Sequence, residues 1–277
     1  MRQLLISRRD LVAGSIVSSL CAAISPATPA APTLRIQRLA WAGIRLELPG
    51  ATLFIDPLID KEFWGEALSD PIIPVDDAKG DVFVLVTHRH PDHSDPKAIA
   101  SALRGTGTIA YPAATPPFNG LAPGVRERPS PLWEPQILGD FTATPVPASD
   151  GYGDPQVSWV VVAGGRRIFH GGDTMMHGNW WRIGRQFGGF DAAFLPINGA
   201  RFSWRQPASD APAVLTPPQA ISAATILGAA RIVPIHYGVR GADGYAEVDS
   251  PLEVLTAAGK PESLRIDALA PGDWLEW

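Results

Sequence analysis

The chain packs three of its six histidines into one hexapeptide, His88-Arg89-His90-Pro91-Asp92-His93, directly after the apolar run at residues 82–86. A continuous apolar run of that length fits a strand buried on both faces. The cluster therefore sits where a buried strand ends and a loop begins. Imidazole nitrogens and carboxylate oxygens are the donors that Zn²⁺, Mn²⁺ and Fe²⁺ take, and a loop lets alternate side chains converge on one point. The alternative is a His-rich surface turn, which the concentration of half the chain's histidines in six residues argues against.

The rest of the chain reads as short strands with turn signals. Ile44, Leu46 and Leu48 alternate, Pro49-Gly50 supplies a turn and residues 52–55 resume an apolar run, which predicts a hairpin. Residues 157–162 and 166–169, joined by Gly164-Gly165, predict a second hairpin that delivers the chain to Gly171-Gly172-Asp173. Residues 192–197 and 231–235 are two further short buried strands. A helix between them has Thr216 as N-cap, Pro217 as first residue, Gln219 as capping-box partner and Gly228 near its end. The proline-rich stretch 111–147 has weak periodicity and is expected to form loops and short strands near the site, not a linker. With 277 residues, 45% hydrophobic and 18% charged, the chain suits one globular unit.

The N-terminus reads as a targeting segment. Arg2, Arg8 and Arg9 precede an apolar run at 11–24, shorter than the ~20 residues a bilayer span needs. Ser7-Arg8-Arg9-Asp10-Leu11-Val12 resembles a twin-arginine export signal, and the small residues and prolines at 22–32 suit a peptidase. The expectation is a signal peptide at 1–31, export of residues 33–277 by the twin-arginine machinery to the periplasm, and no stable membrane span in the mature form. Cys21, the only cysteine, falls in the signal, so the mature chain would hold no disulfide. Losing Arg2, Arg8, Arg9 and Asp10 takes the formal net charge from −5 to −7. With no block of Lys and Arg after the first residues, nucleic acid is excluded as a partner.

Together these segments resemble the metallo-β-lactamase fold hydrolases, whose metal signature is H-x-H-x-D-H. The resemblance continues through Leu39 to Glu47 and Leu53-Phe54-Ile55-Asp56-Pro57, then Gly172-Asp173-Thr174, Phe194-Leu195-Pro196-Ile197 and Pro234-Ile235-His236-Tyr237-Gly238. It covers about residues 33–277 with the motifs in the family's order. The subgroup it is most similar to contains ascorbate-phosphate lactonase-like and N-acyl-phosphatidylethanolamine phospholipase D-like enzymes. The resemblance implies a four-layer αββα sandwich and two divalent metal ions, Zn²⁺ or else Mn²⁺ or Fe²⁺. By carry-over His88 and His90 bind one ion, Asp92, His93 and His236 bind the other, and Asp173 bridges them. Asp56 is expected to hydrogen-bond a ligand histidine without touching metal.

Two departures stand out. Ala40-Trp41 replaces the family's Gly-His in the opening hairpin, and no histidine follows the segment Val146-Pro147-Ala148, where the family places a third ligand of the first ion. Counting along the motif puts Asp150 there, with Ser149 and Asp154 as register alternatives. His170 faces away from Asp173 on an extended strand and reads as a core histidine. His177, four residues after Asp173, either reaches the site mouth, to contact substrate or donate a proton, or is an ordinary surface histidine.

The activity implied is hydrolysis of an ester, lactone, amide or phosphodiester in a small-molecule or lipid-like substrate, with Asp92 orienting the metal-activated water. Asp150 in place of a histidine would remove one positive unit from the site and favour harder ions. A mononuclear iron oxidoreductase and a catalytically silent metal-binding protein are the rival readings on the same fold.

Overall fold

The computed structural model describes residues 33–207 and 209–277, so the export signal expected at 1–31, with Cys21, lies outside the described residues. Six strands form the first sheet in chain order: β1 (Arg35–Arg38), β2 (Ile44–Leu48), β3 (Ala51–Ile55), β4 (Asp81–Leu85), β5 (Thr106–Pro112) and β6 (Gly124–Ser130). Then follow β7 (Gln136–Leu138), β8 (Phe141–Pro147), β9 (Val157–Ala163), β10 (Arg166–His170), β11 (Ala192–Pro196), β12 (Arg201–Phe202), β13 (Arg231–Ile235), β14 (Tyr245–Ala246) and β15 (Arg265–Ile266). All but β12 and β14 build the second sheet, ordered β15-β13-β11-β10-β9-β8-β7; β12 and β14 pair as a separate ribbon. In each sheet one half is antiparallel and the other parallel.

The layers follow from the two-residue period of a strand. In β4, Phe83 and Leu85 point into a core between the sheets, while Val82 and Val84 pack under helix α1 (Pro96–Leu103) with Ile99, Ala102 and Leu103. In β11, Ala192 and Phe194 meet that same central core, and Ala193 and Leu195 face helices α2 (Trp180–Phe187), α3 (Pro217–Leu227) and α4 (Pro251–Ala257). Helix, sheet, sheet and helix thus stack as an αββα sandwich. Each fully buried Leu or Phe of this core contributes roughly 1.5–3 kcal/mol.

Helix α3 starts and stops as its sequence demands. Thr216 N–H donates to Gln219 Oε1 at 3.0 Å, closing the capping box, and Gly228 takes the left-handed C-cap at φ 64°. The proline-rich stretch forms loops and strands as expected but lies mostly away from the site: it holds the outer strands β6 and β7 of the two sheets as well as β8, and carries the chain from one sheet to the other. Only the end of β8 leads to the site. Among the described residues no helix is long and apolar enough to cross a membrane.

Candidate metal centre

The seven donors expected from the sequence leave the C-terminal ends of four strands. His88, His90, Asp92 and His93 follow β4, Asp150 follows β8, Asp173 follows β10 and His236 follows β13. They form two groups in which the donor atoms lie within 4.8 Å of one another: His88, His90, Asp150 and Asp173, and beside them Asp92, His93 and His236. The rings of His88 and His93, one from each group, are 4.3 Å apart. Asp173 falls in the first group.

Two close approaches shape the turns that carry the carboxylates. A Cβ on Gly151 would stand 2.3 Å from Ala213 Cβ, so only glycine lets the loop bearing Asp150 pass there. Gly172, just before Asp173, sits at φ 67° against Thr87, a conformation glycine adopts without strain. Three residues with side chains take left-handed backbone at the site as well, Trp41, Asp56 and His236. Such strain persists only where the surrounding structure fixes it, and it gathers at functional sites.

The outer atoms of the imidazoles are held. Asp56, fully buried, accepts Thr87 N–H at 2.8 Å on Oδ1, and on Oδ2 it accepts Thr87 Oγ1–H at 2.6 Å and His93 Nδ1–H at 2.8 Å. Because the Thr87 hydroxyl proton is committed to Asp56, its oxygen accepts His88 Nδ1–H at 3.0 Å. One carboxylate therefore fixes both rings with Nε2 turned inward. His90 uses its other edge: Nε2 meets Asp154 Oδ2 at 3.0 Å, while Nδ1 faces His88 Nε2 at 2.9 Å and Asp150 Oδ2 at 3.7 Å. Asp150 is buried, its Oδ1 accepting Tyr152 N–H at 2.5 Å. Of the register alternatives, Asp154 is the outer partner of His90 and Ser149 enters hydrogen bonds through its backbone.

Asp92 has an unusual setting. Its Oδ2 accepts two indole N–H groups, Trp41 Nε1 and Trp64 Nε1, each at 3.1 Å. Trp41 also lays its ring 4.0 Å from that of His236. The residue that stands where the family has histidine thus braces one member of the second group and packs on another.

Inner atoms of this centre have no protein partner. His93 Nε2, both ring nitrogens of His236, Asp150 Oδ2 and Asp173 Oδ1 are buried without a hydrogen bond from the described residues. Leaving such groups unpaired costs about 1–3 kcal/mol each. Burial and the neighbouring histidines hold His88 and His236 well below the ordinary imidazole range, so both are neutral donors. Burial raises Asp173 to about 7 against the pull of His93. Burial would lower His93 too, but Asp92, Asp56 and Asp173 around it outweigh that and raise it to about 9. The neutral imidazoles of His88 and His236, the clustered carboxylates and the buried inner atoms without a partner together fit divalent cations.

Two histidines lie apart. His170 is a core residue, donating Nε2–H to Ala42 O at 2.8 Å and accepting Gly172 N–H on Nδ1. His177, a candidate for the mouth, does not line the cavity above the donors. It accepts Asn179 N–H and stacks on Trp180 at 4.9 Å, because the chain turns from Asp173 into α2 and carries it away.

That cavity measures about 350 Å³ and has a second face the sequence did not announce. Phe63 and Trp64 follow β3, Tyr152 follows β8, Phe202 and Tyr245 lie on the ribbon and Trp204 on its turn. The dipeptide Phe63-Trp64 and the segment Phe202-Ser203-Trp204, bulky aromatics in stretches without strand or helix period, were the available signal.

A model of the beta-lactamase superfamily domain matches residues 51–237, which sets the class. The UPF0173 metal-dependent hydrolase of Rubrobacter xylanophilus is 30% identical over 74% of this chain and 81% of its own length. The chain belongs to this superfamily and, within it, to the UPF0173 metal-dependent hydrolases. Igni18, a metallo hydrolase from Ignicoccus hospitalis, shares the fold at a TM-score of 0.61 and 18% identity over 88% of this chain and 99% of that one. CmlA, a diiron β-hydroxylase from Streptomyces venezuelae, does so at 0.63 and 15% identity over 89% of this chain and 54% of that one.

Proposed function

We propose that the protein is an exported hydrolase that holds two divalent ions, one in each donor group, and cleaves an ester, lactone, amide or phosphodiester bond. The observation that carries this is the convergence of seven donors, distant in sequence, into two adjacent groups whose inner atoms have no protein partner. Bound divalent ions would acidify a water and polarise the scissile group. The chain's own residues would then do the positioning. His88, His90, Asp150 and Asp173 hold the first ion; Asp92, His93 and His236 hold the second. Asp173 lies within electrostatic reach of Asp92 and His93, which supports a bridging role. With Asp92 Oδ2 held by two indoles, Oδ1 is left to the second ion and to the proton of the attacking water.

Asp150 gives the first group two carboxylates, a set that favours Mn²⁺ or Fe²⁺ over Zn²⁺. The resemblance to the lactonase-like and phospholipase D-like subgroup supports a target among esters and phosphoesters. Export rests on Arg8-Arg9 and the apolar run after them, with the periplasm as destination and the twin-arginine machinery as carrier. Lys at both positions should abolish export.

The deciding measurement is metal content beside turnover, on protein matured by its own export route, for the parent, Asp150→Ala and Asp150→His. Asp150→Ala should lose one ion and at least about 100-fold in rate, since removing a ligand costs more than removing a ligand's supporting partner. Asp150→His should keep two ions and shift preference to Zn²⁺. Unchanged metal content and rate in Asp150→Ala would remove it from the site, and one tightly held iron per parent chain would favour the oxidoreductase.

A further inference from the structure

Opposite the donors, the cavity is walled by an arc of rings in edge or tilted contact. Phe63 touches Trp64 at 4.8 Å, Trp64 touches Tyr245 at 4.7 Å, Tyr245 touches Phe202 at 5.7 Å, and Phe202 touches Tyr152 at 4.9 Å and Trp204 at 5.1 Å. Most polar handles of these rings are already engaged. Trp64 Nε1 goes to Asp92, Trp204 Nε1 donates to Tyr152 Oη, and Tyr245 Oη accepts Asn198 Nδ2–H at 2.6 Å. What remains for a ligand is ring face and edge, together with the hydroxyl proton of Tyr152. Phe63 and Trp204 keep 53% and 48% of their surface exposed beside the donors. An apolar ligand group laid on them would remove that surface from water.

Charge separates the substrate classes left open above. Among the described residues the cavity is lined by four carboxylates, Asp92, Asp150, Asp154 and Asp173, and by no Lys or Arg. Arg205, the nearby guanidinium, stacks on Tyr152 at 4.6 Å and is not among the lining residues. Two divalent ions would only balance the four carboxylates, so an anion entering this space finds no net attraction and no guanidinium to replace its hydration. A volume of about 350 Å³ suits a small molecule.

We propose that the site takes a small uncharged carbonyl substrate, an ester or lactone whose apolar acyl or aryl part lies against the Phe63–Trp204 arc, and that phosphodiesters are discriminated against. The ribbon of β12 and β14 supplies Phe202 and Tyr245 and no metal donor, so its part in the site is to set this selectivity. Hydrolysis joins the oxygen of water to the acyl carbon, breaks the acyl–oxygen bond, and releases the alcohol and a carboxylate with one proton. The inference rests on the hydrolase reading above.

Two probes keep the inference and that reading apart. Calorimetric titration of the metal-loaded protein with phenylacetone, a neutral carbonyl compound with no hydrolysable bond, reads the wall alone. Trp204→Ala and Phe63→Ala, both at exposed positions, should each weaken its binding by about tenfold. Turnover of 4-nitrophenyl butyrate should exceed that of 4-nitrophenyl methyl phosphate, with the loss in both variants appearing in KM while metal content stays at two. Equal phenylacetone affinity in parent and variants, a preferred phosphodiester, or preference for an ester with a trimethylammonium acyl group would each overturn the inference. Arc-dependent binding of phenylacetone without turnover of any ester, lactone, amide or phosphodiester would support the wall's assignment and sink the hydrolase reading.

Discussion

The donors and the aromatic arc enclose the same space, yet the fold builds them differently. Each donor sits at the end of a sheet strand, and His88, His90 and His93 have their outer atoms fixed by Asp56, Thr87 or Asp154. The rings of the arc come from loops and a ribbon with two residues in each strand, and several are exposed. Reaction chemistry needs geometry held to a fraction of an ångström and is anchored on rigid elements; selectivity tolerates, and changes through, segments that the core does not constrain.

The sharpest way to break this contrast is to loosen the donors without touching them. Asp56→Asn puts an amide where Asp56 accepts three protons, so His93 or Thr87 loses its acceptor. Metal affinity, read by competition with a chelator, should fall by roughly 10–100-fold with turnover following, while the Phe63–Trp204 arc still binds neutral ligands. A smaller effect should come from the point where arc and donors meet. Trp41→Phe keeps the packing on His236 and removes one of two indole N–H groups from Asp92, so turnover should drop by about tenfold at unchanged metal content. A rate equal to the parent's would show that Trp64 alone suffices.

The smallest effect concerns a residue outside both regions. Burial holds His177 at about 4, below its free value of 6.5. Between those values the unfolded chain binds the extra proton and the folded chain does not. The neutral ring is therefore no burden above pH 6.5, and stability is lost as pH falls through the window toward 4. His177→Gln should leave turnover at neutral pH unchanged and, allowing for the ring's partial exposure, recover about 1 kcal/mol at pH 4 in denaturant titrations. A loss of turnover would return His177 to the substrate's vicinity.

The hairpin of β2 and β3, the strand β13 and the boundaries of α3 were legible because alternation and capping are local signals. β6 was hidden: residues 124–130 are mostly exposed, as suits a charged outer strand, so no apolar alternation marks it. The donors were legible because strand ends bring them in by motif, and Asp150 could be reached by counting. The arc could not be. Residues 63, 64, 152, 202, 204 and 245 share no spacing, and only the docking of the loops and the ribbon joins them. Likewise Trp41 marked a departure, but its hydrogen bond to Asp92 depends on how the first turn folds back over the strand ends.

The donors are divided between the two sheets: four follow β4 in the first, and three follow strands of the second. Each group draws on both. A cation held there works as a rivet through the sandwich, since prying the sheets apart would break its coordination. Saturation at a hundred times the dissociation constant would add about 2.7 kcal/mol to the resistance against unfolding. Chelation should then shorten the chain's survival among proteases by opening the seam between the sheets, even where no substrate is present.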